Sequence, residues 1–251
     1  EDKRNGYMSI YLIEEDKSNY ILENISTGKQ YSNFKNAINE TTEGANELKL
    51  IKDFSLTTSF YIPEGKDIIL DLEGKTITNK YFKITNNGKF EIIDQNSNGT
   101  IANIESVFFN NSTGTINVAG GTISNTSTSN SAYGIYNYST GTINVSDGSI
   151  NSNGNSNVYG ICNGSEGTIN IAGGTISSTS TMYYNYGLYN SGAGTINVTG
   201  GSVSSSSSNL AYGIYNYKTG TINITEGVVS SNGRTAYGIY NYKTGTIDIT
   251  G

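Results

Sequence analysis

Two Tyr-Gly-Ile-Tyr-Asn-Tyr-Lys segments, Tyr212 to Lys218 and Tyr237 to Lys243, carry the densest chemistry in the sequence. Alternation with period 2 that turns Ile214 and Ile239 inward turns Tyr215, Tyr217, Tyr240 and Tyr242 outward, with Lys218 and Lys243 beside them. Phenol faces stack on sugar rings or anchor protein contacts at little entropic cost, and the ammonium groups attract acidic groups such as sialic acid or uronate. These six residues are the candidate ligand-binding set. Earlier copies break the pattern. One outward column reads Tyr136, Cys162, Tyr189, Tyr215, Tyr240, and its neighbour reads Tyr138, Gly164, Ser191, Tyr217, Tyr242. Stacked aromatics also stabilise a sheet without a ligand, by about 0.2–1 kcal/mol per neighbouring pair, so a purely structural reading stands beside the binding one.

Other reactive groups are sparse. Asp71 and Asp94 fall at comparable places in successive copies, with Lys75 or Lys89 nearby, but an isolated Asp at a strand end more often caps a turn. Cys162 is the only cysteine and stands where other copies hold Tyr, which points to substitution rather than chemistry. The chain has no His. No catalytic residue, metal ligand or cofactor is assigned.

The elements that position the tyrosines repeat. Gly-Thr-Ile-Asn-Val at Gly114 returns in near-copies at Gly141, Gly167, Gly194, Gly220 and Gly245, offsets of 27, 26, 27, 26 and 25 residues. Each copy holds three strand-like pieces separated by Gly, Ser, Asn and Thr, and a fixed period of this size marks a solenoid. The expected fold is all-β: a parallel β-helix (solenoid) with about 26 residues and three short strands per coil, whose right hand is what the resemblance given below implies. Ile116 and Val118 should point in, and Thr115 and Asn117 out. The outward row continues as Thr142/Asn144, Thr168/Asn170, Thr195/Asn197, Thr221/Asn223 and Thr246/Asp248.

Upstream the pattern degenerates. Strands are expected at 48–51, 54–57 and 59–62, followed by coils restarting at Gly65 and Gly88. Ser32 is expected to cap a short helix bearing Phe34, Ala37 and Ile38, a lid over the first coil. Before it, Tyr7 to Ile13 and Asn19 to Ile25 read as two strands turning at Glu14 to Ser18, with a helix as the alternative. The organisation is therefore an N-terminal extension at 1–30, a capping helix and entry loop at 31–47, irregular coils at 48–113 and regular repeats at 114–251, the last read as a truncated piece of a longer array. All seven Phe lie before Asn110 and 14 of the 20 Tyr after it, so the core should change from aromatic to small and regular.

Composition narrows the partners. A net charge of −6 offers no basic surface for nucleic acid, and no run of 18 apolar residues suits membrane insertion. With a single cysteine no internal disulfide can form, so stability must come from stacking.

The segments Tyr31-Ser-Asn-Phe-Lys-Asn-Ala-Ile38, Leu50-Ile-Lys-Asp53, Ile62-Pro-Glu-Gly65 and Leu70-Asp-Leu-Glu-Gly-Lys-Thr-Ile77 resemble the opening of bacterial surface proteins of the pectate-lyase-like right-handed β-helix superfamily. The later repeats are similar to adhesin-like arrays. The resemblance covers residues 31–251, and the superfamily holds lyases, hydrolases and non-catalytic adhesins. It implies an extracellular, cell-surface, non-enzymatic segment, an adhesin or stalk, monomeric within its longer chain and binding host or microbial glycans or surface proteins. The alternatives are a polysaccharide lyase or other carbohydrate-active enzyme, which would need clustered carboxylates for calcium and a Lys or Arg base, and an ice-binding solenoid using the Thr/Asn row.

Overall fold

Ile116 and Val118 are buried and Thr115 and Asn117 half-exposed, the alternation the repeat requires. The computed structural model, which describes residues 17–81, 83–104, 108–128 and 131–250, stacks these alternating strands into a parallel β-solenoid of about eight turns, 64% strand and 4% helix.

The first three coils each use three separate strands: β3 (Ala45–Leu50), β4 (Phe54–Leu56) and β5 (Phe60–Ile62); β6 (Asp67–Asp71), β7 (Thr76–Lys80) and β8 (Ile84–Asn86); β9 (Lys89–Ile93), β10 (Thr100–Ile104) and β11 (Phe108–Asn110). In the next two, the first and second faces merge: β12 (Thr115–Ser127) with β13 (Ala132–Asn137), then β14 (Thr142–Gly154) with β15 (Val158–Asn163). The sixth coil is again β16 (Thr168–Ile171), β17 (Thr175–Ser180) and β18 (Tyr184–Asn190), while β19 (Thr195–Asn216) and β20 (Thr221–Asn241) each run all three faces and β21 (Thr246–Ile249) starts another. The expectation of three short strands thus fails at one corner. There Gly121 and Gly148 adopt φ of +67° and +77°, a conformation that bends the chain while the ladder carries on across a register shift.

Each strand pairs with its counterpart one coil away, so like side chains stack. On the first face Ile68, Phe90, Ile116, Ile143, Ile169, Ile196 and Ile222 form one buried row. The irregular coils hold the bulky end of the core, with Phe90 in edge contact with Phe60 (6.4 Å) and 5.8 Å from Phe108.

The N-terminal end is closed in two ways. β1 (Leu22–Asn24) pairs antiparallel with both β2 (Gln30–Tyr31) and β3, so the parallel stack ends on a reversed strand. α1 (Phe34–Asn39) buries Phe34, Ala37 and Ile38, and Phe34 stacks on Phe60 at 4.3 Å. Its cap is Asn33 rather than Ser32, with the Asn33 carboxamide oxygen accepting from the Asn36 N–H at 2.9 Å. The strand expected within 19–25 is β1, while the one expected at Tyr7 to Ile13 lies outside the described residues, as do Phe82 and Val107 of the early coils. The first coil begins at Ala45, three residues before the expected Leu48.

Candidate functional site

The third face is built from β5, β8, β11, β13, β15, β18 and the final parts of β19 and β20. Its two expected outward columns are real: Tyr136 pairs with Cys162, Cys162 with Tyr189, Tyr189 with Tyr215 and Tyr215 with Tyr240. Of the six candidate residues, five come together. Tyr217 and Tyr242 lie parallel, 5.4 Å apart with 2° between their planes, and Lys243 Nζ sits 5.1 Å from the Tyr217 ring centre. Tyr240 lies 5.3 Å from Tyr215. Lys218 is exposed on the loop that follows.

Tyr215 is less accessible than its outward direction implied. Only 8% of it is exposed, because the rings of Tyr186, Tyr189, Tyr212, Tyr217, Tyr240 and Tyr242 surround it. The surface a partner can touch is therefore Tyr242, 53% exposed, with the half-exposed Tyr217 and Tyr240 and the two lysines.

A third tyrosine column, missed in the sequence, does the covering. Tyr133, Tyr159, Tyr186, Tyr212 and Tyr237 stack at 4.7, 5.0, 5.3 and 5.3 Å with 3–12° between planes. Strict alternation would not place Tyr133 beside Tyr136, three residues on. The alternation slips at Gly134: a Cβ there would overlap the carbonyl of Gly160 one coil away, so no side chain fits, and Ile135 takes the next inward position. Tyr133 and Tyr136 then share the outer side, 5.1 Å apart. The signal was present in the glycine set in every regular copy between Tyr and Ile or Leu.

Burial raises the phenol pKa along this face. It pushes Tyr136 and Tyr189 up to about 12, with the neighbouring Cys162 thiol and phenols adding to it, and moves Tyr159, Tyr186 and Tyr215 in the same direction. These rings are neutral donors and apolar plates at physiological pH, not anions.

Comparison with protein-family models, curated proteins and solved structures finds no match. The chemistry of the face therefore rests on its own residues.

Elsewhere the polar groups serve the fold. Asp71 Oδ1 accepts from the N–H groups of Glu73 (2.9 Å) and Gln95 (3.2 Å), and Asp94 accepts from Gly74 (2.7 Å) and Gly99 (2.6 Å). Each carboxylate ties the corner of one coil to the next. Lys89 pairs with Asp67 (3.0 Å) rather than with either. Among the described residues no group of three or more Cys, Asp or Glu could hold a metal ion, and no helix is long and apolar enough to cross a membrane. On the first face, Asn223, Asn197, Asn170 and Asn144 each donate to the Asn one coil nearer the N-terminus at 2.7–2.8 Å, so their amides are engaged along the rod. Beside α1 a cavity of about 740 Å³ is lined by Phe34, Phe54, Phe60, Leu56 and several Ser and Thr residues.

Proposed function

We propose that this solenoid is a non-catalytic, extracellular binding or stalk segment that engages glycans or protein surfaces through its tyrosine-rich third face. The observation that carries the reading is the parallel Tyr217–Tyr242 pair with Lys243 against it, exposed on a face whose deeper rings are fixed by stacking. A rigid aromatic plate loses little entropy on binding, and a cation beside it selects acidic partners. The covered rings of Tyr212 and Tyr215 hold the plate in place rather than touch a partner. An array of acidic and neutral glycans and matrix proteins, probed with the purified chain, tests the proposal. Selective binding of acidic members is expected, and no binding to any member would defeat it.

A further inference from the structure

The column that reads Tyr138, Gly164, Ser191, Tyr217, Tyr242 sets two phenols in succession at one place, its C-terminal end. The backbone holds them in register there. Asn216 Nδ2 donates to Asn241 Oδ1 at 3.0 Å, and the Tyr242 N–H donates to the Asn216 carbonyl at 2.8 Å, so the two coils cannot slide past each other at the residues that carry the rings. The outcome is the parallel pair already described, 5.4 Å between centres.

Two phenols held side by side can be joined through their ortho carbons when each loses one electron and its phenolic proton. The bond asks for closeness, for water to take the protons, and for rings free to turn from face-on to edge-on, because the product joins ring edges. Tyr242 is 53% exposed and Tyr217 half-exposed, so both phenols reach water. Among the described residues each meets only one further ring, that of Tyr215, at 6.3 and 6.4 Å. The other stacked tyrosines are more confined. Tyr212 and Tyr215 are 8% exposed, and burial raises the phenol pKa of Tyr159, Tyr186 and Tyr189, which makes the proton harder to lose. Tyr237 and Tyr240 lie 5.0 Å apart at 57°, but Tyr212 packs on both, at 5.3 and 5.4 Å. The chain has a single cysteine and forms no internal disulfide, so a tyrosine pair is where oxidation can tie coil to coil.

We propose that Tyr217 and Tyr242 are an oxidative modification site, forming an intramolecular dityrosine link that staples one coil to the next when hydrogen peroxide is turned over by a haem peroxidase. The peroxide accepts one electron from each ring and takes up the two phenolic protons, leaving as two molecules of water. The phenoxyl radicals then combine by a bond between one Cε of each ring. The hydrogen on each bonded carbon passes through water to the phenol oxygen, which restores both aromatic rings, so the chain loses two hydrogen atoms in all. The link closes one coil into a loop and restricts the unfolded chain as a disulfide would. It requires no ligand on the plate and stands whether or not the face binds glycans.

Treating the dilute purified chain with a haem peroxidase and hydrogen peroxide tests it, read by dityrosine fluorescence, intact mass, peptide mapping and thermal melting. The parent should give a monomer two hydrogen atoms lighter, with the Tyr217 peptide joined to the Tyr242 peptide and a raised melting midpoint. Tyr217→Phe keeps the ring and its stacking but removes the phenol, and it should remove most of the monomer's dityrosine fluorescence. Tyr237→Phe should leave that fluorescence within about twofold, since Tyr237 makes no ring contact with either member of the pair. Unfolding in urea before oxidation should scatter the links over many tyrosines, because only the folded rod holds this pair together. A link mapped chiefly to another pair, a product found only between chains, or parent-like monomer fluorescence from Tyr217→Phe overturns the proposal. So does the same single link in the urea-unfolded chain, or a linked monomer that melts no higher than the unlinked one.

Discussion

Asn137 Nδ2 donates to Asn163 Oδ1 at 2.9 Å, and neither side chain has any exposed surface. The same bond recurs from Asn86 through Asn110, Asn137, Asn163, Asn190 and Asn216 to Asn241, so an amide ladder runs inside the solenoid. From Asn110 onward each amide also donates to a glycine carbonyl four residues on, as Asn163 does to Gly167 at 2.7 Å, which ties the end of the third face to the start of the next coil. Replacing Asn163 with Ala strands the Asn190 amide oxygen and one Asn137 N–H away from water, while the Gly167 carbonyl keeps the bond from the Thr195 N–H. At about 1–3 kcal/mol per buried unpaired group the loss should be about 2 kcal/mol or more. Asn170→Ala, in the half-exposed ladder of the first face, should cost about 0.5–1.5 kcal/mol. Urea unfolding of both variants checks the difference, and equal midpoints would show that the inner ladder contributes nothing special.

The ladder also explains the glycine that opens every Gly-Thr-Ile-Asn copy. A Cβ at Gly194 would overlap the Asn163 amide nitrogen and the Gly167 carbonyl, one side chain and one backbone group that are both locked in place. Gly194 has no positive φ, so close approach alone excludes a larger residue. Gly194→Ala should therefore destabilise by about 1–3 kcal/mol through overpacking. Thr168, half-exposed on the first face, is the control: Thr168→Ser should be nearly neutral. Thermal melting of the pair reads this directly, and the prediction fails if both variants melt alike.

Alkaline unfolding should begin on the tyrosine face. The free phenol titrates near 10, whereas burial holds Tyr136 and Tyr189 at about 12. A raised folded-state pKa means the unfolded chain releases its protons first. The stability these rings contribute is thus full below about pH 10 and is lost as the pH rises from about 10 to 12. Titration followed by phenolate absorbance and circular dichroism should show the late-ionising tyrosines appearing together with loss of β-structure. Ionisation of all tyrosines near pH 10 with the β-spectrum intact would contradict this assignment.

The period and the inward Ile and Val rows were legible because burial alternates with period 2 and every coil repeats it. Tyr215 shows where that logic stops. Its outward direction was readable, but its cover was not, because the slip at Gly134 and its counterparts adds a second set of rings that no alternating pattern reveals. The buried asparagines escaped for a related reason: Asn137 sits at an inward position, where polarity alone predicts exposure, and only its bonds to Asn110, Asn163 and Gly141 offset the cost of burial. Asn33 displaced Ser32 as helix cap by one residue, a difference that two equally good capping side chains in succession leave open.

The covered ring also changes how the binding face should be tested. Tyr215→Ala would remove a buried ring that touches six others and lower stability, so a loss of binding in that variant would not separate contact from scaffold. Tyr217 and Tyr242 are the informative pair, since both are at least partly exposed and stack chiefly on each other at 5.4 Å. Their joint replacement by Ala should cost no more than about 1–2 kcal/mol of stability. It should also weaken adhesion to an acidic glycan or protein engaged by this plate by about 10-fold or more, the usual scale for an aromatic anchor. Lys243→Gln alone should leave stability unchanged and reduce the salt dependence of that adhesion. Measured on one ligand-coated surface, unchanged adhesion by the Tyr217/Tyr242 variant would reduce the third face to a structural ladder that holds the coils together and binds nothing there.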